Sequence, residues 1–293
     1  MVPHAVRRLW LVSHSGDCFV DECAAEFNHG GMLHMADATC NCFVRNSNLW
    51  NSGGDQYGVY SNGSPVMVSG SKLVGYAGAG VYAGGGTVDV QNNQFDSCAI
   101  GVQGAGGSSI ISNNKFNGRG SKVLNGTVRT LFCDSKSPTG FAKVGRWTSL
   151  FNNVSGFVQA LISTAQQPAP GVGGFVGSYV INGNMVEDDS APQNPTVLLA
   201  HAATGVLSGN SFHKHNVTNA SGGGVYIIDV QEGDGEAAAG TLVTGNSFRA
   251  AGKLAGQQAI SPRFKGEAVN NLGVVLKSDD GGLSAALLKK QER

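Results

Sequence analysis

One short phrase recurs along this chain and limits what it can fold into. GVLSGNSF at 205–212 returns as TLVTGNSF at 241–248, and worn copies stand at 88–95 (VDVQNNQF), 109–116 (SIISNNKF) and 179–186 (YVINGNMV). Each joins an apolar residue to a Gly-Asn or Asn-Asn corner and then to a second apolar residue. Further back, the same frame holds CFVDECAA (18–25), CFVRNSNL (42–49) and VMVSGSKL (66–73). The matched corner position is held by Cys23, Ser47, Ser71, Asn93 and Asn114, at steps of 24, 24, 22 and 21 residues. Asn184, Asn210 and Asn246 follow, at steps of 26 and 36. The gap from Asn114 to Asn184 has room for two longer units, and a fainter copy, SLFNNVS, places Asn153 inside it.

Each unit contains two short segments that alternate apolar and polar. One precedes the corner (Val66 and Val68, Val88 and Val90, Ile111), and the other lies about a dozen residues earlier (Leu11, Met35, Val59, Val81, Val102). A period of two marks strands. A unit this short cannot bury its apolar face alone, but it can against copies of itself. The sequence therefore predicts an all-β fold: a single parallel β-helix of about nine or ten coils over residues 1–275, with Val81, Val90, Val102 and Ile111 turned inward. Coils 9–116 are regular and coils 117–275 carry loops, while 276–293, including GGLSAALLKKQER, reads as a short C-terminal capping helix. Asn tolerates the left-handed backbone of a sharp corner, and stacked Asn side chains can bond along a ladder. Gly209 and Gly245 serve the same corner without a side chain.

The composition fits. There are 44 Gly in 293 residues with no Gly-X-Y period, and 14% of residues are charged, against about 25% in an average protein. Net charge is zero, which gives no footprint for nucleic acid or an anionic membrane. No apolar run is long enough to span a bilayer, and Leu9–Val12 is too short for a signal-peptide core.

The Asn-Asn-x-Phe and Gly-Asn-Ser-Phe corners, together with the coil length, resemble the right-handed parallel β-helix proteins of the pectate-lyase-like superfamily over about residues 9–275. That superfamily includes polysaccharide lyases, glycoside hydrolases, epimerases, fructotransferases, phage tailspikes and passive adhesins. The resemblance implies a carbohydrate-active enzyme acting on a polysaccharide in a groove along the helix. The alternative is a non-catalytic glycan-binding shaft or adhesin, for which a homotrimer is the expected assembly. Members usually open with a capping helix, whereas RRLWLV starts as strand. This reads as a fragment of a secreted or virion-associated protein, or as a cap supplied by a partner.

Candidate chemistry gathers where the loops are long, because residues added to a coil of fixed cross-section must bulge outward. Aligning the apolar cores of VRTLFCD, VQALIST, VLLAHA and VYIIDV puts Asp134, Thr164, His201 and Asp229 in one column at the loop edge. His201 and Asp229 on neighbouring coils would form an acid/base pair, with Asp134 as a second carboxylate. Arg129, Lys136 and Arg146 could neutralise an acidic sugar. Tyr60 and Tyr82 share an outward column, with Trp10 and His34 one column over, as an aromatic strip for sugar stacking; strand propensity alone also explains them. Asp21 and Arg45 read as a ladder ion pair. No cofactor or bound metal is expected. DVQEGDGE offers carboxylates that could take calcium, but it lacks EF-hand spacing, and a solvated loop explains it as well as Glu187, Asp188 and Asp189. Of the six Cys, Cys18 and Cys42 share an inward column as apolar fillers, and export would allow a disulfide between them.

Overall fold

The computed structural model describes residues 11–13, 16–27, 33–35, 41–51, 57–61, 63–83, 86–104, 107–118, 129–133, 136–137, 140–141, 144–156, 176–188, 195–199, 204–215, 226–230, 238–251 and 258–273. No helix occurs among them. The segment expected to form a capping helix, 276–293, lies outside the described residues.

Three long sheets are built by parallel pairing. Sheet 1 has ten strands, from Cys18–Asp21 to Glu267–Val269. Sheet 2 has nine, from Ala24–Phe27 to Ser247–Ala250, and sheet 3 has six, from Leu11–Ser13 to Arg129–Cys133. The chain visits sheets 1, 2 and 3 in rotation and returns one place further along each time. In the later part the third side is carried by Val197–Leu199 and Ile228–Val230, with a bridge from Ile228 to Ile260. Lys136–Ser137 pairs antiparallel with Gly140–Phe141 in a separate two-stranded sheet that falls between the last strand of sheet 3 and these two in the chain. This arrangement is consistent with a β-solenoid.

The alternation in the sequence becomes columns of like side chains. On sheet 1, Val20, Val44, Val68, Val90 and Ile111 stack in register and are buried. On sheet 2, Leu49, Leu73, Phe95, Phe116, Val154, Val186, Phe212 and Phe248 do the same. Phe95 lies flat on Phe116 with ring centroids 4.7 Å apart. Each such side chain contributes about 1.5–3 kcal/mol by leaving water. Val81 and Val102 are fully buried on sheet 3. There the register corrects one expectation: Leu11 pairs with Leu33, and Leu33 with Val59, so Leu33 rather than Met35 stands in register with Val59. A shift of two residues preserves the alternation, so the pattern alone cannot detect it.

The corner between sheets 1 and 2 uses two adjacent residues. The first is left-handed in every circuit: Glu22, Asn46, Gly70, Asn92, Asn113, Phe151, Gly183, Gly209, Gly245 and Asn270 have φ between 48° and 66°. The second forms a ladder. The backbone N–H of Cys23 donates to Ser47 Oγ, that of Ser47 to Ser71 Oγ, and that of Ser71 to Asn93 Oδ1. The chain continues through Asn114, Asn152, Asn184, Asn210 and Asn246 to Asn271, each N–H donating to the next Oδ1 at 2.9–3.0 Å. Each Asn also donates from Nδ2 to a carbonyl of the preceding circuit, as Asn152 does to Ile111. The ladder residue in SLFNNVS is Asn152 rather than Asn153, because Phe151 takes the left-handed place and Asn153 begins the next strand, Asn153–Gly156.

Candidate functional site

An open groove of about 600 Å³ runs outside this corner from the regular circuits to the one that holds Phe151 and Asn153. Sheet 2 supplies one wall from the first residue of successive strands, where Asn48, Lys72, Gln94, Lys115 and Asn153 stand in one register column. Parallel pairing spaces these polar side chains by about 4.8 Å. Phe151 lines the groove and is 60% exposed, because its left-handed backbone turns the ring out of the core. The Lys72 ammonium lies 3.4 Å from Asp96, whose same oxygen accepts from Gln94 Nε2 at 2.6 Å. Lys115 forms no ion pair among the described residues and is exposed. No carboxylate lines the groove among the described residues. The wall can donate to hydroxyl and carboxylate oxygens through amides and ammoniums, and Phe151 offers an apolar face for a ring.

Tyr60 and Tyr82 share a column, but Tyr82 within it is enclosed. Tyr60 pairs with Tyr82, and the rings stack 4.8 Å apart at 8°. Tyr57 packs against both, at 5.2 and 5.1 Å. Tyr82 is only 3% exposed, so it offers no open stacking platform. The rings of Tyr57 and Tyr60 pack against it, and Ile100 belongs to the same cluster. Desolvation raises the Tyr60 phenol above its ordinary range. His34 pairs with Tyr60 and so belongs to the tyrosine column itself rather than to the next one. Trp10 lies outside the described residues.

The expected acid/base column has a different register. Val197 pairs with Ile228, so Asp229 stands opposite Leu198, three residues before His201 in the chain. Asp229 is held by Arg263: Nη2 donates to Oδ2 at 2.6 Å and Nε to Oδ1 at 3.3 Å. The Val230 N–H donates to Oδ1 at 2.8 Å. Asp134, Thr164 and His201 lie outside the described residues, as does the acidic stretch 231–236. Arg129 sits in sheet 3 opposite Ile100, and Arg146 in sheet 1 opposite Ser108, so these two arginines stand on different sheets. Lys136 pairs with Phe141 in the small antiparallel sheet. Asp21 and Arg45 form the expected ion pair at 2.9 Å.

Asp188, expected in a solvated acidic loop, is fully buried. It accepts from Lys214 Nζ at 3.0 Å, also fully buried, and from Thr196 Oγ1 at 2.5 Å. A carboxylate taken out of water at this depth needs such partners. Of the cysteines, Cys18, Cys42 and Cys98 are buried and Cys23 is exposed, and none of these four forms a disulfide. Cys18 and Cys42 are direct register partners, as expected.

The groove wall was missed by sequence reading, although its period was in hand: each member follows its ladder residue by one. Comparison with family models, with curated proteins and with solved structures finds no match for this chain.

Proposed function

We propose that this chain is a right-handed parallel β-helix of the pectate-lyase-like kind that binds an extended, acidic saccharide along the corner groove. The observation that carries this reading is the row of amide and ammonium side chains, one per strand, in a groove with no carboxylate among its described lining. A linear polymer of sugar units repeats on a length scale close to the strand spacing of about 4.8 Å, so successive circuits can meet successive units in the same way. Lys115, with no carboxylate partner among the described residues, selects for acidic sugars. Phe151 supplies a hydrophobic face for one ring. Cleavage of the polymer would depend on His201 and Asp134, outside the described residues, so binding is the activity this geometry supports.

Calorimetric titration with oligouronides and with neutral oligosaccharides tests the proposal. Oligouronides should bind, more weakly as salt is raised, and Lys115→Ala and Phe151→Ala should each weaken binding by roughly tenfold, as expected for about 1.4 kcal/mol. New reducing ends and unsaturated ends, followed in the same mixtures, reveal any turnover. Absence of binding to every saccharide, or binding indifferent to both substitutions, would overturn the assignment.

A further inference from the structure

Strands Met185–Asp188 and Ser211–Lys214 are neighbours in sheet 2, with Glu187 opposite His213. Lys214 is turned fully inward onto Asp188, so His213 and His215, one residue to either side, share the outward face. The His215 N–H donates to the Asp188 carbonyl at 2.8 Å, which carries the pairing to the end of the pattern. The buried Lys214–Asp188 pair thus fixes the backbone beneath an outward triplet.

The three outward side chains converge. Glu187 Oε2 lies 3.1 Å from His213 Nδ1 and 2.5 Å from His215 Nε2. The imidazole rings stand 4.0 Å apart at 43°, and the three ligand atoms lie within 4.8 Å of one another. Tetrahedral zinc, with bonds of about 2.0–2.1 Å, holds its ligand atoms about 3.4 Å apart. The two contacts to Glu187 need to open by less than about 1 Å, and the two imidazole nitrogens, at most 4.8 Å apart, to settle at the same separation, for the ion to enter. Two imidazole nitrogens and one carboxylate oxygen suit zinc, copper or nickel rather than calcium or magnesium, which take oxygen. Side-chain exposures of 54%, 31% and 38% for Glu187, His213 and His215 leave an entry path and free coordination positions. Arg249, opposite His213 on the following circuit, is exposed and adds one positive charge nearby, which the Glu187 carboxylate offsets.

We propose that Glu187, His213 and His215 form a surface site for a divalent transition-metal ion of the zinc type, which cross-links two successive circuits and keeps open positions toward solvent. The site does not depend on the saccharide groove, which lies on earlier circuits. Binding to the folded chain alone stabilises it by mass action.

The test uses the full chain, freed of metal with a chelator and titrated with zinc chloride at pH 7.5 by calorimetry, with thermal melts in zinc and in calcium. One equivalent of zinc should bind and raise the melting temperature, and calcium should not. His215→Ala and the milder Glu187→Gln should each weaken zinc binding by about tenfold or more, of the order seen when metal-site groups are removed. Both should melt like the parent without metal, because the side chains are exposed. The proposal fails if the parent shows no saturable zinc binding, or if His213→Ala/His215→Ala binds zinc as the parent does.

Discussion

Asn184 shows how much one side chain holds in this molecule. Its Oδ1 accepts both the backbone N–H and the Nδ2 of Asn152, at 3.0 Å each, and its own Nδ2 donates to the Ser149 carbonyl at 3.1 Å. The residue is fully buried, so no water can replace these bonds without rearrangement. Asn184→Ala should cost about 2–3 kcal/mol in denaturant unfolding, most of it from the orphaned Asn152 N–H. Asn184→Ser should cost less, since Ser47 and Ser71 show that a hydroxyl can accept the ladder bond. Equal losses for the two variants would show that the ladder bond contributes little. The thiols follow a different rule. Desolvation pushes Cys98 up to about 12 and raises Cys42 further, with the neighbouring Cys18 adding to it. Both stay protonated where an unfolded thiol, with its pKa near 8.5, already ionises. The unfolded chain then binds fewer protons, so stability should fall as pH rises from about 9 toward 12. At pH 8 an alkylating agent should mark exposed Cys23 and leave Cys42 and Cys98 unmarked until denaturant is added, as read by peptide mass spectrometry.

At the scale of the strand and its corner, the left-handed residue decides where a circuit turns. Four of the ten are Gly and four are Asn, the residues that enter this conformation most readily. Gly209 has open space where a Cβ would go, its nearest neighbour being 4.0 Å away. Gly209→Asn should therefore be nearly neutral, since Asn46, Asn92 and Asn113 already hold the equivalent place. Gly75 is different: φ is +81°, and a Cβ would lie 2.4 Å from the Asn51 carbonyl oxygen. Gly75→Ala should destabilise by about 2 kcal/mol or more from backbone strain and contact together. Thermal melts of the two variants separate the cases, and a neutral Gly75→Ala would contradict the packing at that bend.

Across the whole molecule, what the sequence revealed depended on whether a position carried a mark. The ladder from Cys23 to Asn114 could be read because each corner pairs a turn residue with a bonding one between apolar flanks. The circuits on sheet 3 and its later replacement have no such mark. Near-continuous apolar runs such as VLLAHA and VYIIDV slide past one another without penalty in the pattern, and the true register differs by three residues from the one their cores suggest. Enclosure of Tyr82 depends on what packs over it from neighbouring columns, which alternation does not encode. The Glu187 and His213 pair was within reach: the step from Asn184 to Asn210 is 26 residues, and the same step carries 187 to 213. The pattern alone gives it no role, because acidic residues after a strand usually face water.

Successive ladder residues are separated by anything from 21 to 38 positions, yet every link has the same geometry. Length variation is thus confined to the stretch between one ladder residue and the next. A DNA segment copied or deleted between two equivalent corners adds or removes a whole period while every surviving junction keeps a partner of the right kind. Unequal recombination can therefore lengthen or shorten such a gene without first breaking the protein, and the groove wall, which follows the ladder by one residue, would be inherited with each added period.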